Sequence, residues 1–327
     1  MILASASPIQ RRLDFAWRSP AAPPGWLLRE ETIMGTAVRV ELWADERRAG
    51  DAAAASVMGE MLRIDRAMSP HRTESELSRI NRNAARTAVP LSDEMYLLVE
   101  RALGFSRLSG GAFDISSAAA GPLIDRRQRE RPNAKALEPT REQVSWRHLE
   151  LDERARSLRF ARPGMRIDLG GLATGHGVDR AATLLLKHGV SQAWVSAGGA
   201  SRTLGDRSGW PWSVALRDPH RADAVLAVLP LQDRSISTSG ARAGFVHDGA
   251  RAVHELVDTA AGLSPSPLRS VTVLALDGVA SEALSQVVFV LGVERGLALI
   301  ESLPDVEALV VDAQGELHVS SGLLPER

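Results

Sequence analysis

A glycine-punctuated stretch at residues 167–180, IDLGGLATGHGVDR, constrains the fold of this chain more than any other feature. An apolar lead-in ends in two adjacent glycines, and a further glycine-rich turn opens into a helix predicted to run to about Lys187. Glycine permits sharp turns and a close approach of the backbone to a ligand. A helix start offers unpaired amide N–H groups and the positive end of the helix dipole, which favours phosphate. The stretch therefore predicts either a phosphate-binding turn or a tight strand-to-helix turn without a ligand.

Apolar periodicity on both sides of this stretch predicts an α+β fold. In residues 36–43, three aliphatic residues alternate with charged ones, which is typical of a half-buried strand. Helices are predicted over about 50–68, 92–110, up to 187 and over 281–291, strands over 193–197, 212–216, 224–229, 235–239 and 271–276, and hairpins over 149–160 and 308–320. This mixture predicts largely antiparallel sheets packed with helices, in two lobes of one domain over residues 29–327. The Pro-rich residues 1–28 are predicted to form a loose leader.

Composition narrows the classes of function. The formal net charge is −1 at pH 7, so there is no electrostatic case for nucleic acid or an anionic membrane as a partner. The chain has no cysteine, which excludes disulfides, thiolate chemistry and cysteine-ligated zinc. No continuous apolar run approaches the roughly 20 residues of a membrane helix, and Arg11 and Arg12 follow the short apolar start, unlike in a secretory signal. We therefore expect a cytoplasmic protein without a membrane span, although a chain that lacks its native leader would look the same.

Six further segments accompany the glycine stretch along the chain. They are MGT at 34–36, MSPHRTESELSRIN at 68–81, GGAFDI at 110–115, SAGG at 196–199, TSG at 238–240 and FVLG at 289–292. In this order, the segments and the glycine stretch resemble the FAD:protein FMN transferase family, ApbE. The resemblance covers roughly residues 30–312 and implies an ApbE-like fold.

The resemblance also implies a group transfer from a flavin nucleotide to a protein. Members of this family move the FMN half of FAD to a Ser or Thr hydroxyl of a target protein and release AMP. Such chemistry uses Mg²⁺ to neutralise the pyrophosphate, donors that orient it for in-line attack, and a base that takes the hydroxyl proton. The implied substrate is FAD, the implied metal is Mg²⁺, and the implied partner is an acceptor flavoprotein with a Ser or Thr site.

The metal positions of the family are altered in this chain. The resemblance places Glu282 where the family has an Asp and Gln286 where it has a Thr, and the carbonyl of Gly171 would be the backbone ligand. The spacing of four residues keeps both side chains on one side of a helix. Both side chains offer oxygen, but each is longer than the family residue, and octahedral Mg²⁺ tolerates misplaced ligands poorly. Glu282 and Gln286 could equally belong to a solvated helix face.

The motif that carries the family's base is altered as well. Family members have a run similar to His-Ile-Ile-Asp-Pro-x-Thr-Gly, and residues 254–262 here read HELVDTAAG. Aligning Asp258 and Gly262 puts Glu255 at the histidine position and leaves His254 one residue away. A one-residue shift in an extended segment turns a side chain to the opposite face, so His254 serves as the base only if a bulge re-aims it. Glu255 is the weaker base by about two pKa units.

The resemblance implies more faithful flavin contacts. The implied contact residues are Met34, His71, Ala112, Phe113, Asp114, Asp168 and Thr174. His71 stands where a Tyr is usual, and Thr174 replaces a usual Lys, which removes a cationic phosphate contact. Asp168 could instead be a buried carboxylate that ties down the glycine turn, and Phe113 on its own would be assigned to the core.

Three hypotheses of function remain open on the sequence. The first is a working Mg²⁺-dependent transferase with a rebuilt metal site, which the habit of the family favours. The second is a flavin-binding or scaffold homologue that no longer transfers, which the loss of the family's Asp, Thr, His and Lys together favours. The third is an FAD pyrophosphatase that yields FMN and AMP and needs no protein acceptor.

Overall fold

The computed structural model of the chain describes residues 25–118, 143–217, 225–240, 245–248, 251–254 and 268–324. The helices within these ranges are α1 (Arg47–Met68), α2 (Glu76–Asn83), α3 (Asp93–Leu108), α4 (Ala173–Lys187) and α5 (Gly278–Glu301). The four predicted helices are confirmed, while α2 is an addition to the prediction. Helix α5 extends beyond both predicted ends. The prediction stops before Gly292, but this glycine, with a φ of 81°, only interrupts the helix, which continues to Glu301.

Most of the strands join one antiparallel sheet. They are β1 (Trp26–Ile33), β2 (Thr36–Trp43), β3 (Val89–Pro90), β4 (Leu149–Asp152), β5 (Ser157–Phe160), β6 (Ala193–Ala197), β7 (Ala200–Leu204), β8 (Trp212–Arg217), β9 (Val225–Leu231), β10 (Ser235–Gly240), β11 (Phe245–Asp248), β12 (Arg251–His254), β13 (Ser270–Ala275), β14 (Glu307–Val311) and β15 (Leu317–Val319). An eight-stranded sheet has the order β1-β2-β6-β7-β10-β13-β14-β15, and each neighbouring pair is antiparallel. The smaller sheets are β3-β5-β4, β8-β9 and β11-β12. The α+β prediction with largely antiparallel sheets is confirmed.

Strand β1 lies partly inside the segment predicted as a loose leader. It begins at Trp26, which is buried and contacts Trp43 and Trp212 edge-on, with ring centroids 5.7 and 5.3 Å apart. The aromatic contact and pairing with β2 explain why residues 26–28 form part of a strand and not of a loose leader. Residues 1–24 of the predicted leader lie outside the described ranges.

Strand β2 has the alternation predicted for residues 36–43, and it lies between β1 and β6 in the large sheet. Val38, Val40 and Leu42 are fully buried, while Arg39 between them is exposed. Their buried side faces α1 and α4, and Met58 and Met61 of α1 belong to the same hydrophobic cluster. Helix α5 packs on β10, β13 and β14, farther along the sheet, with Val288 and Phe289 in its own cluster. Helices α4 and α5 thus lie side by side on one sheet.

Helix α5 is long and apolar enough, by length and composition, to cross a membrane. No unbroken apolar run marks α5 in the sequence, because Glu282, Gln286 and several small polar residues interrupt the apolar residues. Half of the most apolar 18-residue stretch of this helix is buried inside the protein. A buried core helix passes the same test, so this helix alone gives weak grounds for a membrane span.

Candidate active site

The start of α4 is joined to α5 through the carboxylate of Glu282. Helix α4 begins after Leu172, whose side chain makes no capping hydrogen bond. The carboxylate of Glu282 takes over part of that role: one oxygen accepts a hydrogen bond from the hydroxyl of Thr174, and the other accepts one from the amide N of Gly175 at 2.7 Å. A carboxylate at a helix start is also favoured by the helix dipole. The residue predicted as a metal ligand therefore caps α4.

Gln286 joins the next turn of α5 to the preceding glycine turn. Its Nε2 donates a 2.9 Å hydrogen bond to the carbonyl oxygen of Gly171 and lies 3.3 Å from the carbonyl oxygen of Glu282. The side chains of Glu282 and Gln286 thus lie on one side of α5, as the spacing of four residues predicts, and Gln286 contacts Gly171, which the resemblance implies as their neighbour. The alternative of a solvated helix face is wrong for Glu282, which is buried, and Gln286 is half-buried.

Burial governs the acidity of Glu282. Desolvation raises the pKa of its carboxyl group to about 7, against the opposing effect of the hydrogen bonds from Thr174 and Gly175. The nearby carboxylate of Asp179 adds to this rise. Burial and this neighbouring negative charge both disfavour the ionised form of Glu282.

The backbones of α4 and α5 pack directly against each other at Gly175 and Gly278. A Cβ atom placed on Gly175 would lie 2.2 Å from the carbonyl oxygen of Gly278, and one on Gly278 would lie 2.4 Å from the carbonyl oxygen of Gly175. The carboxylate of Asp179 on α4 accepts hydrogen bonds from the amides of Gly278 at 2.7 Å and Val279 at 3.1 Å. This contact fixes the distance between Glu282 and the start of α4.

The predicted ligands do not fit Mg²⁺ in this arrangement. The carbonyl of Gly171 faces an N–H donor of Gln286, and both carboxylate oxygens of Glu282 are bonded to groups of α4. Octahedral Mg²⁺ requires several oxygen atoms that converge at about 2.1 Å. Here the same oxygen atoms converge on protein hydrogens instead.

The carboxylate of Asp168 holds the glycine turn in place. Its Oδ1 accepts a 2.7 Å hydrogen bond from the amide of Gly170, and its own amide donates to the carbonyl of Ile115 at 2.9 Å. The preceding residue, Ile167, exchanges two hydrogen bonds with the side-chain amide of Asn81, at 2.8 and 2.9 Å. These contacts favour the structural role of Asp168 that the sequence left as an alternative.

Phe113 and Asp114, two of the predicted flavin contacts, are buried. Phe113 belongs to the core, and its ring meets that of Phe105 edge-on with centroids 6.1 Å apart. The carboxylate of Asp114 accepts hydrogen bonds from the amide and hydroxyl of Ser116, at 2.8 and 2.7 Å, and from the amide of Trp146 at 2.8 Å. Desolvation raises the pKa of Asp114. Phe113 therefore packs in the core, and Asp114 holds its own segment to Trp146 through hydrogen bonds.

The remaining predicted contact residues occupy different settings. Met34 has a φ of 55° in the turn between β1 and β2, and its Cε would lie 3.9 Å from a Cβ atom on Gly177 of α4. Ala112 is half-buried. His71 is exposed, and its amide donates to the hydroxyl of Ser69 at 3.3 Å. Met34 is therefore next to α4, whereas no contact in the described residues joins His71 to the glycine turn.

Two accessible glycines extend the site beyond the predicted residues. Gly198 has a φ of 56°, and a Cβ atom there would lie 3.6 Å from Oγ1 of Thr36 and 3.8 Å from Cγ2 of Thr174. A Cβ atom on Gly199 would lie 2.7 Å from the carbonyl oxygen of Thr238. Gly198, Gly199 and Thr238 are all exposed. Thr36 at the start of β2 and Gly198 after β6 thus lie beside Thr174 at the start of α4, and we call this partly exposed surface, with Gly199 and Thr238, the cleft. The paired glycines after a predicted strand were the signal that could have revealed it.

A serine pair links the end of this cleft to α5. The hydroxyls of Ser239 on β10 and Ser285 on α5 lie 2.7 Å apart, and Ser285 donates to the carbonyl of Glu282 at 2.8 Å. Helical spacing alone cannot identify Ser285 as a site neighbour, because its partner is 46 residues earlier in the chain.

The predicted base lies at the limit of the described structure. Residue 254 ends strand β12, of which only the backbone is described, and Glu255 lies outside the described residues. The assignments of His254 and Glu255 stay predictions.

The fold is shared with solved structures of ApbE proteins. The chain superposes on the ApbE protein from Thermotoga maritima with a TM-score of 0.84 over 91% of this chain and 97% of that one, at 24% identity. The flavin transferase ApbE from Vibrio cholerae gives a TM-score of 0.82 over 92% of this chain and 99% of that one, also at 24% identity. The chain has the fold of the ApbE flavin transferases.

Sequence comparison identifies the family directly. The sequence model of the ApbE family matches residues 34–310 of this chain. A relative from Treponema pallidum, named FAD:protein FMN transferase, is 31% identical over 90% of this chain and 87% of its own length. A relative of the same name from Klebsiella pneumoniae is 27% identical over 88% of this chain and 90% of its own length. The chain belongs to the ApbE family, and the resemblance of its motifs to that family is confirmed.

Proposed function

We propose that this chain is an FAD:protein FMN transferase, which transfers FMN from FAD to a Ser or Thr hydroxyl of an acceptor protein. The observation that carries the proposal is the match over nearly the whole chain to relatives named for this activity. In this reaction the acceptor oxygen forms a bond to the phosphorus of the FMN half. The bond between that phosphorus and the bridging oxygen breaks, AMP leaves, and a base of the enzyme takes the hydroxyl proton.

The cleft supplies a setting that suits the pyrophosphate of FAD. The exposed glycine turns let a phosphate approach the backbone closely, and the dipole at the start of α4 favours negative charge. Met34 and the segment around Ala112 are the apolar surfaces proposed to contact the flavin ring. His254 or Glu255 is the proposed base.

Magnesium is not assigned a step in this proposal. The resemblance implies Mg²⁺, but the oxygen atoms of Gly171 and Glu282 are bonded to protein groups in the described structure. The ion, when bound in a transferase of this kind, neutralises the pyrophosphate. The residues of this chain instead position the glycine turn.

A second candidate function is flavin binding without transfer. The same hydrogen bonds of Glu282 and Gln286 favour it, since they take up the atoms from which the resemblance implies a metal site. A protein of this kind would bind FAD in the cleft but would not transfer FMN.

One experiment separates the two candidates. The full chain is incubated with FAD and a protein or peptide that carries an exposed Ser or Thr, and flavin fluorescence is recorded on a denaturing gel together with AMP in solution. Covalent flavin and an equal amount of AMP are expected for the transferase. AMP and free FMN without covalent flavin would indicate a pyrophosphatase, and saturable FAD binding without either product would indicate the binding protein. Absence of any saturable FAD binding would contradict both candidates.

A further inference from the structure

Side chains of α5 hydrogen-bond to the glycine turn and to the start of α4. Gln286 fits so closely that a Cβ atom on Gly171 would lie 2.6 Å from its Oε1 and 2.7 Å from its Nε2. The amide head group therefore lies directly against the backbone of Gly171, and its N–H points to the carbonyl oxygen. One helical turn earlier, Glu282 is bonded to the first turn of α4.

The two helices offer no room for this link to lengthen. The contact of Gly175 with Gly278 and the capping of α5 by Asp179 fix the helices against each other one turn before Glu282. A cation between Glu282 and the carbonyl of Gly171 would have to displace the hydrogen bonds of both Glu282 and Gln286. Mg²⁺ also gives up its hydration shell reluctantly, which adds to the cost of such a displacement.

We propose that Glu282 and Gln286 replace a divalent cation as the link between α5 and the glycine turn, so that FAD binds in the cleft without Mg²⁺. The part of this inference that concerns FAD rests on the proposed function. The part that concerns the protein alone does not. The link is made of a neutral amide donor and a carboxyl group, and both are positioned before any ligand arrives.

The first test measures FAD affinity by flavin fluorescence, with excess Mg²⁺ and with EDTA in its place. We expect the two dissociation constants to agree within about twofold, since a ligand without differential affinity shifts nothing. Tightening by Mg²⁺ of about fivefold or more, the lower end of usual coupling between sites, would overturn the proposal.

The second test needs no FAD. Bound Mn²⁺ is counted by electron paramagnetic resonance in the wild type and in Glu282→Gln, which keeps the shape of the side chain and one acceptor oxygen for the amide of Gly175. The other oxygen becomes an NH₂ group that can donate to the hydroxyl of Thr174, and the charge is removed. We expect equal numbers of bound Mn²⁺ in the two proteins. The surface group of Asp312, Glu316 and His318, whose ligand atoms lie within 4.8 Å of one another, is common to both proteins and cancels in the comparison. A loss of one bound Mn²⁺ in Glu282→Gln would assign a cation to Glu282 and overturn the proposal.

The two tests also keep the inference separate from the proposed function. If FAD fails to bind with and without Mg²⁺, the proposed function fails, while the Mn²⁺ comparison still decides whether Glu282 holds a cation. Circular dichroism of Glu282→Gln verifies that the variant is folded before ions are counted.

Discussion

The carboxylate of Glu282 in α5 accepts a 2.7 Å hydrogen bond from the amide of Gly175 at the start of α4, 107 residues earlier in the chain. This bond satisfies an amide that helix geometry leaves without a partner, and it does so in a buried setting. The same carboxylate also bonds the hydroxyl of Thr174. Glu282 therefore stabilises the site whether or not it has a chemical role.

We predict that Glu282→Ala lowers the free energy of unfolding by about 1–3 kcal/mol, because the buried donors of Thr174 and Gly175 lose their acceptor. The matched control is Glu294→Ala, at an exposed position of the same helix. That change should stay within about 0.5 kcal/mol. Urea unfolding of the three proteins measures both values, and equal stability of the two variants would show that the link is not energetically important.

We predict that Gly175→Ala is strongly destabilising. The added Cβ atom would lie 2.2 Å from the carbonyl oxygen of Gly278, which is backbone and cannot rotate away. The helices must then separate, at a cost of about 1–3 kcal/mol or more. The matched control is Gly104→Ala in α3, where a Cβ atom meets no atom within 4 Å and helix propensity favours alanine by about 1 kcal/mol. Thermal unfolding should therefore shift in opposite directions for the two variants.

For Asp168 we predict a structural effect that depends on the acceptor oxygen and not on the charge. Asp168→Asn keeps an oxygen for the amide of Gly170, whereas Asp168→Ala removes it and should cost about 1 kcal/mol. FAD affinity of Asp168→Asn should remain within about threefold of the wild type, a difference well below the tenfold that 1.4 kcal/mol represents. A loss of tenfold or more in Asp168→Asn, with unchanged stability, would instead indicate a direct charged contact with the ligand.

Much of the fold was predictable because its signals are local. The alternation in β2 is one example, and the start of α3 at its predicted position is another, where the hydroxyl of Ser92 accepts from the amide of Met95 at 3.2 Å. Helix α2 was missed because it is short, and its stability comes from contacts made elsewhere in the chain. Its Asn81 is bonded to Ile167, 86 residues away, which no local pattern reveals.

The site was predictable in its membership but not in its bonding. The spacing of Glu282 and Gln286 placed both side chains on the side of α5 that faces α4 and the glycine turn, where Gln286 contacts Gly171 and Glu282 contacts Thr174 and Gly175. Residue type could not decide what Gln286 offers, because an amide carries both an oxygen acceptor and N–H donors. The choice depends on which atom faces it, and the carbonyl of Gly171 selects the donor. Likewise, Thr174 contacts the predicted metal ligand Glu282, a pairing across 108 residues.

The last prediction concerns acid stability and the charged cluster that joins α1, α3 and α4. Glu94 of α3 lies 2.8 Å from Nε2 of His176 and 2.6 Å from the guanidinium of Arg63, and Arg180 lies 4.0 Å away. The hydrogen bond with His176, followed by that with Arg63, lowers the pKa of Glu94 to about 2. An unfolded Glu has a pKa of about 4.3, so the folded state favours the charged form.

The sign of the pH effect follows from this difference. Glu94 stabilises the fold fully above the unfolded pKa, and the contribution is lost as the pH falls from about 4.3 toward 2. We predict that the stability difference between the wild type and Glu94→Gln shrinks as the pH falls through this window. Urea unfolding at several pH values measures it, with Glu74→Gln at an exposed position as a control whose difference should stay small throughout. A difference that grows on acidification would mean that Glu94 is protonated in the folded protein and that His176 and Arg63 do not hold its charge.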